Sequence, residues 1–164
     1  MLLTIWRHGE AGRAPTDRLR ELTDKGFDDI GFGCRQFHAA LAVRGLPPPD
    51  RIFFSPWVRT LETAEIIASA FTHARSSEMA ALRPGGTLRA AEAALEAAST
   101  GLDHVLLVSH QPLVSRLVEH FLGVDNAVPV LSPGGFATLS LEVIAAACGE
   151  LRFWAVAPEY EVGM

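Results

Sequence analysis

Short apolar runs alternate along this chain with longer stretches whose apolar residues recur every three to four positions. Leu2 to Trp6 is an almost unbroken apolar run and reads as a first buried strand. Thr23 stands where a helix cap belongs, and Phe27, Ile30, Cys34, Phe37 and Leu41 then mark one face of a helix. Gly31 and Gly33 inside that helix are each expected to cost about 1 kcal/mol against alanine. Pro47-Pro48-Pro49 ends it. Arg51 to Phe54 is a second short strand, after which Ser55-Pro56 opens a helix through Leu61, Ala64, Ala68 and Phe71. Ser76 to Leu82 fits a short strand or a loop. Thr87 to Ala98 is an alanine-rich helix with Leu88, Ala91, Leu95 and Ala98 on one face. His104 to Val108 is the clearest central strand, and Ser109-His110-Gln111-Pro112 turns from it into a helix bearing Leu113, Val114, Leu117, Val118 and Phe121. Phe136 to Val143 and Leu151 to Val156 form a closing strand pair with a turn at Gly149. Strands and helices in alternation predict an α/β fold with a mostly parallel central sheet.

Length and composition narrow the function classes. The 164 residues suit a single domain, 1–164. The 49% hydrophobic and 20% charged content is that of an ordinary globular protein. A net charge of -5 excludes a broad basic footprint for nucleic acid. No apolar run is long enough to span a bilayer, and the start lacks the basic region and length of a signal segment, so no membrane association and a cytoplasmic location are expected. Cys34 and Cys148 are too few for a disulfide framework and are expected to be reduced, buried small hydrophobes.

The candidate chemistry lies just past the strands. Arg7-His8 follows the first, Arg59 comes soon after the second, and His110 follows the central one. In open parallel sheets, ligands bind beyond the carboxyl ends of the strands, so these residues are expected to share one crevice. Arg7 and Arg59 carry forked donors that match a phosphoryl group, and the helix starts at Pro56 and Pro112 add free N–H groups. A neutral imidazole among them can attack phosphorus, and a second can donate to a phosphoryl oxygen. Arg20 lies in a charged stretch and is either an accessory cation or simply solvated. Glu10 either orients a neighbouring Arg or His or faces solvent.

These residues resemble a known family. Leu3-Thr4-Ile5-Trp6-Arg7-His8-Gly9-Glu10 resembles the opening strand and Arg-His-Gly motif of the histidine phosphatase (phosphoglycerate mutase-like) superfamily. Arg20-Glu21-Leu22-Thr23, the Ser55 to Ala64 segment with Arg59 and Thr63, and Val108-Ser109-His110 are similar to its later elements, in family order. The short length, Ser109-His110-Gln111-Pro112-Leu113-Val114 and Leu131-Ser132-Pro133-Gly134-Gly135 look most like the SixA-type phosphohistidine phosphatases. The resemblance implies a three-layer α/β/α sandwich and a phosphohydrolase with no metal or organic cofactor. It implies His8 as the phosphorylated nucleophile and a phosphate pocket of Arg7, Arg59 and His110 with Arg20 as an accessory; Glu10 and Gly9 are expected as further substrate contacts.

One departure bears on the substrate. Many members carry a mid-chain acid that protonates an alkoxide leaving group, and Met79-Ala80-Ala81-Leu82 has Ala81 there, with Glu78 out of register. Phosphohistidine has a better leaving group, and the short Ile67 to Gly86 stretch leaves room for a protein surface, so a phosphohistidine protein is the expected substrate and inorganic phosphate the product. The alternatives are a phosphomonoesterase for a small metabolite or nucleotide, and a phosphate-binding module without turnover. His38, His73, His104 and His120 lack a comparable setting and are expected to be structural or surface residues.

Overall fold

A computed structural model describes residues 1–164. Six strands form one sheet: β1 (Leu2–Arg7), β2 (Arg51–Phe54), β3 (Arg75–Glu78), β4 (His104–Ser109), β5 (Phe136–Leu141) and β6 (Gly149–Ala155). Their spatial order is β3-β2-β4-β1-β5-β6. The first four are mutually parallel, and β5 runs against both β1 and β6. The helices are α1 (Asp24–Val43), α2 (Val58–Ala70), α3 (Leu88–Ala98) and α4 (Leu113–Leu122).

The order of travel explains the layers. From β1 the chain steps outward to β2 and β3 through α1 and α2, then returns through α3 to insert β4 beside β1. Crossovers of one hand place helices on opposite faces when the direction of travel reverses. Strand residues alternate accordingly. Leu3, Ile5, Phe53, Val105 and Leu107 pack with α3 and α4, while Trp6, Ile52, Phe54, Leu106 and Val108 pack with α1 and α2. The result is the three-layer α/β/α sandwich expected from the sequence.

Several local expectations are corrected. Thr23 does cap α1, accepting from the Gly26 N–H, but Phe27 is 43% exposed and leaves the buried stripe to Ile30, Cys34, Phe37 and Leu41. Helix α2 starts at Val58, so Ser55-Pro56 precedes it. Its buried face is Thr60, Thr63, Ala64 and Ile67, and Leu61 lies toward solvent. The ambiguous segment resolves into β3 and a 3-10 turn over Ala80–Leu82. Gly149 begins β6 rather than forming the turn. Cys34 is buried but Cys148 is exposed. No helix is long and apolar enough to cross a membrane.

The two glycines of α1 differ. A Cβ on Gly33 would lie 2.6 Å from the Tyr160 ring, which is buried and donates its hydroxyl to the Gly134 carbonyl at 3.2 Å. A Cβ on Gly31 would meet nothing closer than the Arg35 guanidinium at 4.0 Å. Gly33 thus admits the C-terminal segment against α1, while Gly31 only weakens the helix. Gly33→Ala is expected to destabilise by about 1–3 kcal/mol through overpacking, and Gly31→Ala to stabilise by up to about 1 kcal/mol. Urea denaturation midpoints check both.

His104 is structural. Its Nδ1–H donates to the Pro47 carbonyl at 2.8 Å, so Nε2 accepts from the Thr4 hydroxyl at 2.9 Å, and Thr4 accepts from Thr138 at 2.8 Å. All three side chains are fully buried. Burial pulls the imidazole from 6.5 down to about 4, against the raising effects of the Pro47 carbonyl and Asp50. Below pH 6.5 the unfolded chain therefore gains a proton that the folded chain refuses, until the pH nears 4. Stability is expected to fall as the pH drops through that window, by about 1.4 kcal/mol per pH unit for this group. His104→Gln, less stable at neutral pH, should lose less across the same window in denaturant titrations.

Candidate active site

The carboxyl ends of β1, β2 and β4 finish level, because Trp6 pairs with Val108 and Val108 with Phe54. The next residues of each strand, Arg7-His8, Ser55 and Ser109-His110, therefore emerge side by side. His8 N–H continues the ladder to the Ser109 carbonyl at 3.0 Å, and Ser55 N–H to the Val108 carbonyl at 3.1 Å. The His8 and His110 rings lie 5.1 Å apart between centroids.

His8 is buried, and its Nδ1–H donates to the Gly9 carbonyl at 2.7 Å. That bond fixes the tautomer and leaves the lone pair on Nε2. Arg59 Nε–H donates to this lone pair at 3.2 Å. Gly9 N–H in turn donates to Thr63 Oγ1 at 3.1 Å, one turn of α2 beyond Arg59. A Cβ on Gly26 would lie 2.3 Å from the Glu10 carbonyl, so α1 can press directly on the segment that carries His8.

Arg59 is 4% exposed, and each of its three side-chain nitrogens donates one hydrogen bond. One terminal nitrogen donates to the Asp17 carbonyl at 2.7 Å and the other to the Asp17 carboxylate at 3.2 Å. The second Asp17 oxygen accepts from Arg20 at 3.0 Å, while Arg20 also donates to the Gly12 and Ala11 carbonyls. Asp17 thus links the two guanidiniums. Arg7 donates to the Leu131 carbonyl at 2.9 Å, an acceptor shared with the Gln111 amide at 3.2 Å, and its buried Nε has no partner. His110 bonds Ser55 Oγ through Nε2 at 2.8 Å, and its Nδ1 is buried without a partner. Trp57 packs edge-on to His110 at 5.7 Å and lies 5.1 Å from the Arg59 guanidinium carbon.

The site thus sets two neighbouring histidines among three arginines. The chain is 32% identical to a phosphohistidine phosphatase SixA homologue of Haemophilus influenzae over 136 residues, covering 78% of this chain and 81% of that one. It is 30% identical to the phosphohistidine phosphatase SixA of Escherichia coli over 146 residues, covering 87% and 86%. The chain belongs to the SixA family of phosphohistidine phosphatases. A structure of the protein histidine phosphatase SixA complexed with tungstate matches it with a TM-score of 0.77 at 25% identity, covering 94% of this chain and 96% of that one. No family model matches the chain.

Within this SixA-family fold the remaining candidates separate. Glu10 accepts from the Thr23 hydroxyl at 2.8 Å and makes no hydrogen bond to His8, Arg7, Arg59 or His110. Ala81 lies in the 3-10 turn and Glu78 is exposed on edge strand β3. Helix α2 does not begin at Pro56, so the free N–H groups expected there are displaced to Val58. Helix α4 follows Pro112, which carries no side-chain cap. The sequence reading passed over Ser55, Asp17, Trp57 and the Leu131 carbonyl. Ser55 was legible as the first residue of the Ser-Pro motif, and Asp17 stood in the charged stretch around Arg20. Nothing in the sequence pointed to a backbone carbonyl 124 residues from Arg7.

Electrostatics keep both rings neutral. Burial, followed by the charges of Arg59, Arg7 and Arg20, pulls His8 from 6.5 down to about 4 against the Gly9 carbonyl. Burial, followed by His8 and Arg59, takes His110 to about 3. The Arg20 hydrogen bond leads the groups holding Asp17 below the usual carboxylate range. Arg59→Gln removes a cation in contact with His8 and should raise the His8 pKa from about 4 toward 6.5. An NMR titration of the ring protons checks this, and an unmoved value would show that the Arg59 charge does not contribute to it.

Proposed function

We propose that the protein hydrolyses phosphohistidine on a partner protein, with His8 as nucleophile. The observation that carries this reading is the neutral His8 ring, its Nδ1–H tied to a carbonyl and its Nε2 lone pair among guanidiniums. A lone pair so fixed can attack phosphorus without first losing a proton.

In this mechanism the phosphoryl oxygens take donors from Arg7, Arg59 and His110, with Arg20 as an outer cation and Gly9 as the backbone support of the nucleophile. Arg59 now donates to the His8 lone pair, so attack requires that its Nε–H turn from nitrogen to a phosphoryl oxygen. With the other nitrogen of the substrate ring protonated from solvent, the Nε2–P bond forms as the P–N bond breaks, and the ring leaves as neutral imidazole. Water then attacks the phosphorylated His8, releasing inorganic phosphate and restoring the imidazole.

The choice of substrate rests on the leaving group. Met79 to Pro84 offers no carboxyl group, Glu78 is exposed on the edge strand, and Asp17 is held ionised by its arginines, a poor acid for an alkoxide. An imidazole leaves without comparable help. The named relatives act in the same sense, being phosphohistidine phosphatases.

His8→Ala is expected to abolish turnover and the acid-labile phosphoenzyme, and Arg59→Ala to lower kcat/KM by about 10²–10³. A panel comparing a phosphohistidine protein, a phosphoserine peptide, sugar phosphates and an aryl phosphate at matched concentrations tests the substrate. Preference for a sugar phosphate would overturn the phosphohistidine assignment, and activity in His8→Ala would overturn the mechanism.

A further inference from the structure

His110 has one ring nitrogen engaged and one not. Nε2 lies 2.8 Å from Ser55 Oγ, and Nδ1 is buried with no partner. Two arrangements satisfy the first contact: the serine hydroxyl donates to Nε2, leaving the hydrogen on Nδ1, or Nε2–H donates to the serine oxygen, leaving a lone pair on Nδ1. They have opposite consequences for an anion. Nδ1 is the ring nitrogen still free to meet a phosphoryl oxygen. A hydrogen there attracts it, while a lone pair repels it and strands a buried acceptor.

Ser55 is built for the first arrangement. It is fully buried at the end of β2, with its N–H on the Val108 carbonyl at 3.1 Å and its carbonyl accepting from Thr60 Oγ1 at 2.6 Å. Its hydroxyl has no hydrogen-bond acceptor other than the His110 ring. If Nε2–H donated instead, the serine hydrogen would itself be buried and unpaired. Trp57, two residues on, packs edge-on against the His110 ring at 5.7 Å between centroids.

We propose that Ser55 is a positioning residue that sets the tautomer of His110, donating its hydroxyl hydrogen to Nε2 so that Nδ1–H is the donor presented to the phosphoryl group. The proposal rests on the site reading above and assigns it one further residue. It makes the two histidines complementary. The Gly9 carbonyl draws the hydrogen of His8 to Nδ1 and bares a lone pair for attack. The Ser55 hydroxyl fills the lone pair of His110 and bares a hydrogen for charge stabilisation. Ser55 acts through His110 and touches no reacting atom.

The tautomer is read directly by long-range nitrogen–proton NMR on the wild-type enzyme labelled at its six histidines, with His110 assigned by its loss in His110→Gln. The expected result is Nδ1 protonated and Nε2 bare; Nε2 protonated overturns the proposal, whatever the substrate proves to be. The second arm is Ser55→Ala, assayed with a phosphohistidine protein and with an aryl phosphate. A fall in kcat of about a hundredfold on both, with KM little changed, is expected from misaiming one preorganised donor. Unchanged kcat in a variant that melts like wild type overturns it. Should Ser55→Ala not fold, the wild-type tautomer decides alone. Absence of turnover on every phosphohistidine protein, with activity retained on the aryl phosphate, strikes the substrate reading and leaves the tautomer result standing.

Discussion

Everything at the site depends on the register of three parallel strands. Trp6, Val108 and Phe54 share one level of the sheet, and the side chains that follow them meet because they leave it together. The two cores enforce that level. A slip of β4 by one residue would turn Leu107 and Val108 each to the opposite face, exchanging partners between the α3–α4 core and the α1–α2 core. It would also displace His110 by about 3.3 Å along the strand. The same hydrophobic alternation that folds the sheet therefore aligns the crevice, with no separate device needed to bring distant residues together.

Alignment alone would leave the rings free to rotate and titrate. Each histidine is fixed a second time through one ring nitrogen, His8 by the Gly9 carbonyl and His110 by Ser55. Burial adds the third constraint, since both lie well below the usual imidazole range. Position, tautomer and charge are thus set by different parts of the fold: strand register, local hydrogen bonds and enclosure. A substitution can disturb one while sparing the others.

The sequence disclosed what is local and missed what is not. β1 and β4 were legible because strands buried on both faces are mostly apolar, and Thr23 because the N–H it caps, that of Gly26, lies only three residues on. Arg7, His8, Arg59 and His110 were legible as a set because the α/β pattern assigns strand ends to one side. Phe27 misled because helical spacing alone cannot show that one member of a stripe, here in the first turn of α1, stays exposed. Pro56 misled because a proline that suits a first helical turn also suits the residue before it. Asp17 bonds Arg59 across 42 residues and Arg7 reaches Leu131 across 124, contacts made only once the chain has folded. Gly33 read as a weakness in α1 because Tyr160, which needs the space, lies far along the chain.

Asp17 gives the cationic cluster its balance. Arg7, Arg20 and Arg59 all act on His8, and Asp17 is paired with two of them. Three guanidiniums against one carboxylate leave two positive charges, the complement of a phosphoryl dianion. Protonating either histidine would add a third. In the proposed mechanism that would cost His8 its lone pair and tighten the grip on the phosphate left after hydrolysis, so there the burial that keeps both rings neutral serves attack and release alike. In a chain of net charge -5 the whole does not draw anions in, and the arginines of this crevice supply a local attraction. On the proposed function, a partner protein is recognised by the shape and chemistry of the surface around the crevice, with the phosphoryl group as the one strongly charged element that enters it.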